Sequence, residues 1–89
     1  MELSERIIAT LESEGFATVS EESLPAHTSL PTRIATTPTT FVVTDGSIEV
    51  RNNKTSNILE SGNRFDVPAD TPYTIVAGKS GCNYVVGEF

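Results

Sequence analysis

The chain has 89 residues, enough for one domain and not for a second lobe. A composition of 37% hydrophobic and 20% charged residues is that of a folded globular domain and excludes a disordered one. Six basic residues against twelve acidic ones leave a formal net charge of −6, which excludes the phosphate-neutralising surface of a nucleic-acid binder and argues against anionic membranes as partners.

The acidity is concentrated at the start, where Glu2, Glu5, Glu12, Glu14, Glu21 and Glu22 face Arg6 alone within residues 1–24. Such a run reads either as a solvated face or as a docking surface for a basic partner. The opening Met1-Glu2-Leu3-Ser4-Glu5 lacks the basic and apolar regions of a secretory signal. Cys82 is the single cysteine, so no intrachain disulfide can form, and a cytoplasmic location is the expectation.

Residues 4–14 read as a helix, with Ser4 as its N-cap, Glu5 in the first turn and Gly15 at the left-handed exit. Its apolar positions, Leu3, Ile7, Ile8 and Leu11, form one narrow stripe, suited to a lid or brace on a larger body and not to a bundle. After Gly15 the texture turns β-branched and aromatic. Strands are predicted at 16–24, 39–44, 47–51, 56–59, 64–67, 73–77 and 82–87. Asp45-Gly46 reads as a two-residue hairpin turn, because both central positions of such a turn need positive φ. Further turns are expected at 52–54, 61–63, 69–72 and 78–81, and Pro25, Pro31 and Pro38 make the intervening stretch a loop or edge segment. So many short strands must roll up or pack as two layers to hide their edges. The expected fold is all-β, a barrel or jelly roll, organised as an N-terminal helix over 1–15 and a barrel over 16–89.

Two glycine-anchored stretches resemble the motifs of small single-domain cupins. The family's first motif runs G-x5-H-x-H-x3,4-E-x6-G and its second G-x5-P-x-G-x2-H-x3-N. Gly62 and Pro68 match the spacing of the second, and Gly46 fits the closing glycine of the first. In that register Thr39 stands at the motif glutamate, Ala35 and Arg33 at its two histidines and His27 at its opening glycine; Asp70 stands at the second motif's glycine, Tyr73 at its histidine and Ala77 at its asparagine. The resemblance implies the RmlC-like double-stranded β-helix. It does not carry over the metal chemistry, because a methyl, a hydroxyl, a phenol and a guanidinium replace the ligands and Arg33 would repel a divalent cation. No metal and no cofactor are expected.

Arg33, Thr39 and Tyr73 would face the interior of such a barrel, among Phe41, Val43, Phe65, Val67 and Ile75. An inward arginine needs a partner or water. Arg33 as bidentate donor, with the Thr39 and Tyr73 hydroxyls, would make a binding site for a small anionic or sugar-like ligand. Alternatively Arg33 reaches the rim or pairs with Asp66, Asp70 or Glu88. Metal-free sugar-nucleotide epimerases of the same superfamily pair a histidine base with a tyrosine acid, parts that His27 and Tyr73 would take if the fold joins them. The leading expectation is a non-catalytic barrel that binds a small molecule at its mouth, paired as a homodimer. The alternatives are a structural or regulatory protein-interaction module with a filled interior, and a metal-independent isomerase or epimerase.

Overall fold

The computed structural model describes residues 3–52 and 55–89. Helix α1 (Leu3–Ser13) starts one residue earlier than expected, so Ser4 is buried in the first turn and does not cap it. Its exit is as expected: Gly15 takes φ 100°, its N–H reaches the Glu12 carbonyl at 3.1 Å, and the Phe16 N–H reaches the Leu11 carbonyl at 3.3 Å. These bonds are the paired ones of a Schellman stop, and Phe16 and Leu11 complete it by packing in one buried cluster.

Six strands follow among the described residues: β1 (Thr18–Leu24), β2 (Arg33–Ala35), β3 (Thr39–Arg51), β4 (Ser56–Glu60), β5 (Arg64–Val67) and β6 (Thr71–Glu88). All pairings are antiparallel, in the order β1-β6-β3-β4, with β2 on β6 and β5 on β3. The proline-bearing stretch expected as loop or edge is an edge: β2 lies there, and Ser29 bridges to Val76. The turn expected at 52–54 includes Asn53 and Lys54, which lie outside the described residues.

Two expected turns are not turns. Asp45-Gly46 lies inside β3 and the 78–81 stretch lies inside β6, so the strands expected on either side of each are halves of one long strand. The reason is that positive φ serves a bulge as well as a hairpin. Gly46 (φ 77°) pairs with Cys82 beside Gly81 (φ 77°), and the β3–β6 register shifts between Val43 and Asp45 and between Gly46 and Ile48. A Cβ on Gly46 would collide with the Gly81 carbonyl, and one on Gly81 would stand 2.7 Å from the Leu24 carbonyl. Both strands therefore bend at the same level, where no side chain intervenes.

The bend makes two layers of one ribbon. In the first, residues 82–88 of β6 lie between β1 and residues 39–46 of β3, whose other edge takes β5; in the second, residues 71–77 of β6 lie between β2 and residues 48–51 of β3, whose other edge takes β4. Alternation sorts the side chains. Phe41, Val43, Cys82 and Tyr84 of the first layer meet Ile48, Val50, Leu59, Tyr73 and Ile75 of the second in the main core. Val42 and Val85 point the other way and meet Leu11 and Phe16 beneath α1. The helix thus covers the outside of the first layer as a brace, and a bidentate Arg64–Glu14 pair at 2.8 Å ties its end to β5. The accessible surface of 5239 Å² is close to the roughly 5,100 Å² of a self-contained monomer of this size.

Replacing Gly46 by Ala adds the Gly81 clash to left-handed strain, an expected loss of about 2–5 kcal/mol. Gly62→Ala, at φ 89° with nothing within 4 Å of the added carbon, should lose only the strain, about 1–2 kcal/mol. Urea unfolding of the two variants gives the difference directly.

Cys82 sits at the bend, where burial, assisted by the Asp45 carboxylate, pushes its thiol from 9.0 up to about 11. A raised folded-state value means that this contribution to stability is complete below pH 9.0 and is lost as pH rises through about 11. Denaturant midpoints measured from pH 8 to 11 should fall, and Cys82→Ala should fall less steeply than the native chain.

Candidate functional site

The two layers do not close against each other along β1 and residues 28–35. Between them opens a cavity of about 130 Å³. The first layer contributes Ser20, Glu22, Phe41, Tyr84, Val86 and Glu88, and the second contributes Leu30, Pro31, Arg33, Tyr73 and Ile75. Strand register explains the set: Ser20 stands opposite Val86, Glu22 opposite Tyr84, and Arg33 opposite Tyr73, so alternate residues of each strand look inward. A second cavity of about 110 Å³ adjoins it through Arg33, Tyr73 and Glu88 and runs past Ala35, Thr36, Thr37 and Thr39.

Aromatic rings make the floor. Phe41 stands edge-on to Tyr73 at 5.5 Å and tilted to Tyr84 at 5.9 Å, which fixes both phenols by packing. Neither hydroxyl has a hydrogen-bond partner among the described residues, yet no buried polar side-chain atom is left unpaired there. Both oxygens therefore meet accessible space, which the cavity provides. Burial is the main cause that raises the Tyr73 and Tyr84 phenols; Glu88 adds to it at Tyr73 and Glu22 at Tyr84, while Arg33 opposes. Both stay protonated donors at neutral pH.

Arg33 is the cation of the site. Among the described residues the ion pairs are Arg51–Glu49, Arg64–Glu14 and Arg64–Asp66, and none includes Arg33. The pairings with Asp66, Asp70 or Glu88 weighed from the sequence do not form: Asp66 is held by Thr40 and Arg64, and Glu88 shares the cavity with Arg33 at more than ion-pair distance. Thr39 lines the second cavity, but its hydroxyl donates to the Thr37 carbonyl at 3.0 Å and offers a ligand only its lone pairs.

All four positions aligned with cupin metal ligands, Arg33, Ala35, Thr39 and Tyr73, line that second cavity. They converge as the resemblance implies, but without its ligands. A guanidinium, a methyl, a committed hydroxyl and a phenol held protonated do not fit a divalent ion. Among the described residues no three of His, Cys, Asp and Glu converge elsewhere.

His27 is not brought to Tyr73. It occupies an exposed turn at φ 60°, its N–H bonded to the Gly78 carbonyl, and it lines none of the cavities that Tyr73 lines. Gly78 and Tyr73 are five residues apart along β6, about 16 Å of strand. The acid–base pair that an isomerase or epimerase would use is not assembled.

Sequence reasoning found Arg33, Tyr73, Phe41 and Ile75, named Glu88 only as an ion-pair partner for Arg33, and missed Ser20, Glu22 and Tyr84. Their signal was the period of two in β1 and in the last turn-free stretch of β6, readable only once the two strands are known to pair. No helix among the described residues is long and apolar enough to cross a membrane.

No family model matches the sequence, and comparison with curated proteins finds no match. Solved structures do match. The Cnp3 cupin domain of Schizosaccharomyces pombe aligns at TM-score 0.73 and 24% identity over 84% of this chain and 54% of that one. A cupin-2 domain containing protein from Shewanella frigidimarina aligns at TM-score 0.70 and 14% identity over 79% of this chain and 67% of that one. The polyketide cyclase RemF from Streptomyces resistomycificus aligns at 0.70 and 17% identity over 80% and 53%. The chain thus spans between about half and two thirds of the length of these structures. At these identities the likeness speaks for the fold. The backbone agrees residue by residue: the positions aligned with motif glycines, His27, Gly46, Gly62 and Asp70, all have positive φ. With the bent β3–β6 ribbon, the two layers and the motif positions gathered on one cavity, the chain folds as a small RmlC-like cupin domain.

Proposed function

We propose that this cupin barrel acts by binding a small polar molecule at its mouth, with Arg33 as the anchoring donor and the Tyr73 and Tyr84 hydroxyls beside it. The observation that carries the reading is the unpaired state of all three groups around one cavity. Groups of this kind pair with each other when a site has only to be filled. A guanidinium presents a fork that a carboxylate accepts with two hydrogen bonds, and two protonated phenols add donors whose positions the core already fixes. The cavity is well below the roughly 300–1,000 Å³ of pockets that hold drug-sized ligands, so the ligand has few heavy atoms.

Thermal unfolding against a panel of small carboxylic acids, free amino acids among them, tests the reading. A ligand at a hundred times its Kd stabilises by about 2.7 kcal/mol. For a domain of this size each kcal/mol raises the midpoint by about 4–8 °C. Arg33→Gln should abolish the rise while leaving the ligand-free midpoint within a few degrees, since Arg33 is exposed and holds up no neighbour. A rise that survives the substitution, or no rise with any acid, contradicts the proposal.

A second reading, a protein-interaction module that pairs as a homodimer, draws on a different face. The outside of the first layer is covered by α1, whereas the outside of the second carries Ile34 and Ile58 at 64% and 71% exposure. The Thr32–Thr74 hydroxyl bond on that same face confirms which side of these strands is outward. Sedimentation velocity should then report a dimer that Ile58→Lys with Ile34→Lys converts to monomer. A native monomer at high micromolar concentration removes this reading and leaves the mouth untouched.

A further inference from the structure

The mouth carries charges of both signs that do not meet. Arg33 extends from the second layer, while Glu22 and Glu88 extend from the first, all three lining the same cavity. Exposed charges gain little by pairing with each other, about 0–1 kcal/mol, so all three are left available to a ligand that enters between them. Among the described residues these form no ion pair, while every other arginine pair that does form lies outside the cavity. Arg33 stands on β2 of the second layer, and Glu22 and Glu88 stand on β1 and β6 of the first, beyond ion-pair distance from it.

That arrangement selects against simple ions. A lone carboxylate gains Arg33 but lies beside two like charges. A lone ammonium gains Glu22 and Glu88 but lies beside Arg33. Only a molecule with both charges a few atoms apart satisfies both walls at once. The adjoining cavity past Ala35, Thr36 and Thr37 gives a short substituent somewhere to go.

From the opposed, unpaired charges around one small cavity we infer that the ligand of the mouth is a small zwitterion, of the class of a free α-amino acid, its carboxylate on Arg33 and its ammonium between Glu22 and Glu88. This inference rests on the mouth being a binding site and adds the chemistry of its occupant. The phenols donate to the carboxylate side, and the cavity volume limits the side chain to a few atoms.

Isothermal titration of the whole chain with four probes separates the possibilities. Alanine carries both charges, N-acetylalanine only the anion, alaninamide only the cation, and glycerol neither. Close charge pairs at a binding surface are each worth about tenfold or more in affinity. Alanine is therefore expected to bind at least about tenfold more tightly than N-acetylalanine or alaninamide, with glycerol weakest. The Glu22→Gln, Glu88→Gln double variant, at exposed positions, should lose that advantage for alanine while binding N-acetylalanine as well as or better than the native chain does. If N-acetylalanine or glycerol matches alanine on the native chain, or if the double variant keeps the preference, the zwitterion assignment falls and the mouth remains a binding site. If none of the four binds, nor any acid in the thermal panel, both readings fall together.

Discussion

The structure depends on one close contact, the backbone of Gly46 lying against the backbone of Gly81. Two long strands running side by side can bend sharply only if both give way at the same level and neither has a side chain in the other's path. Gly46 and Gly81 meet both conditions, each with φ 77°, and the register shifts around them supply the extra length on the outside of the bend. Without that bend β3 and β6 would make one flat ribbon, open on both faces. With it, Phe41 and Tyr84 of one half face Tyr73 and Ile75 of the other, and the core exists.

The same bend makes the site. Folding a ribbon on itself leaves one side where the two layers end on different strands, β1 on the first and residues 28–35 on the second. Inward positions on those strands are open to solvent, and there the chain places polar residues: Ser20, Glu22 and Glu88 on one wall, Arg33 on the other. Deeper positions are apolar and tightly packed. The helix lies on the far face of the first layer, so it stabilises the wall that carries Glu22 and Glu88 without obstructing the opening. The positions that the motif register sets at ligands, Arg33, Ala35, Thr39 and Tyr73, meet at one cavity, and the groups they present there are a guanidinium, a methyl, a hydroxyl and a phenol.

Much of this is legible in the sequence. The stop at Gly15, the strand texture after it and the glycine spacing around Gly62 and Pro68 are local signals, and each acts locally. His27 and Asp70 show how a non-glycine residue can hide a motif glycine: both take the positive φ of the position, at φ 60° and φ 62°. The misreadings share one cause. Asp45-Gly46 carries the same local chemistry whether the chain reverses or only bulges, and what decides is Gly81, 35 positions away in sequence and adjacent in space. Glu22 escaped notice for the same reason, and Glu88 was read only as a partner for Arg33, since only the pairing of β1 with the end of β6 sets the two on one wall. Arg33 was readable because the family register sets it at a motif histidine, an inward position where a permanent cation needs a partner or water.

A crystal structure of the ligand-free protein at neutral pH tests the central claim most directly. The account predicts a water-filled opening between β1 and residues 28–35, with ordered waters on the Arg33 guanidinium, on the Tyr73 and Tyr84 hydroxyls and on the Glu22 and Glu88 carboxylates. An Arg33–Glu88 ion pair drawn across the gap, with the layers closed and the interior dry, would contradict it.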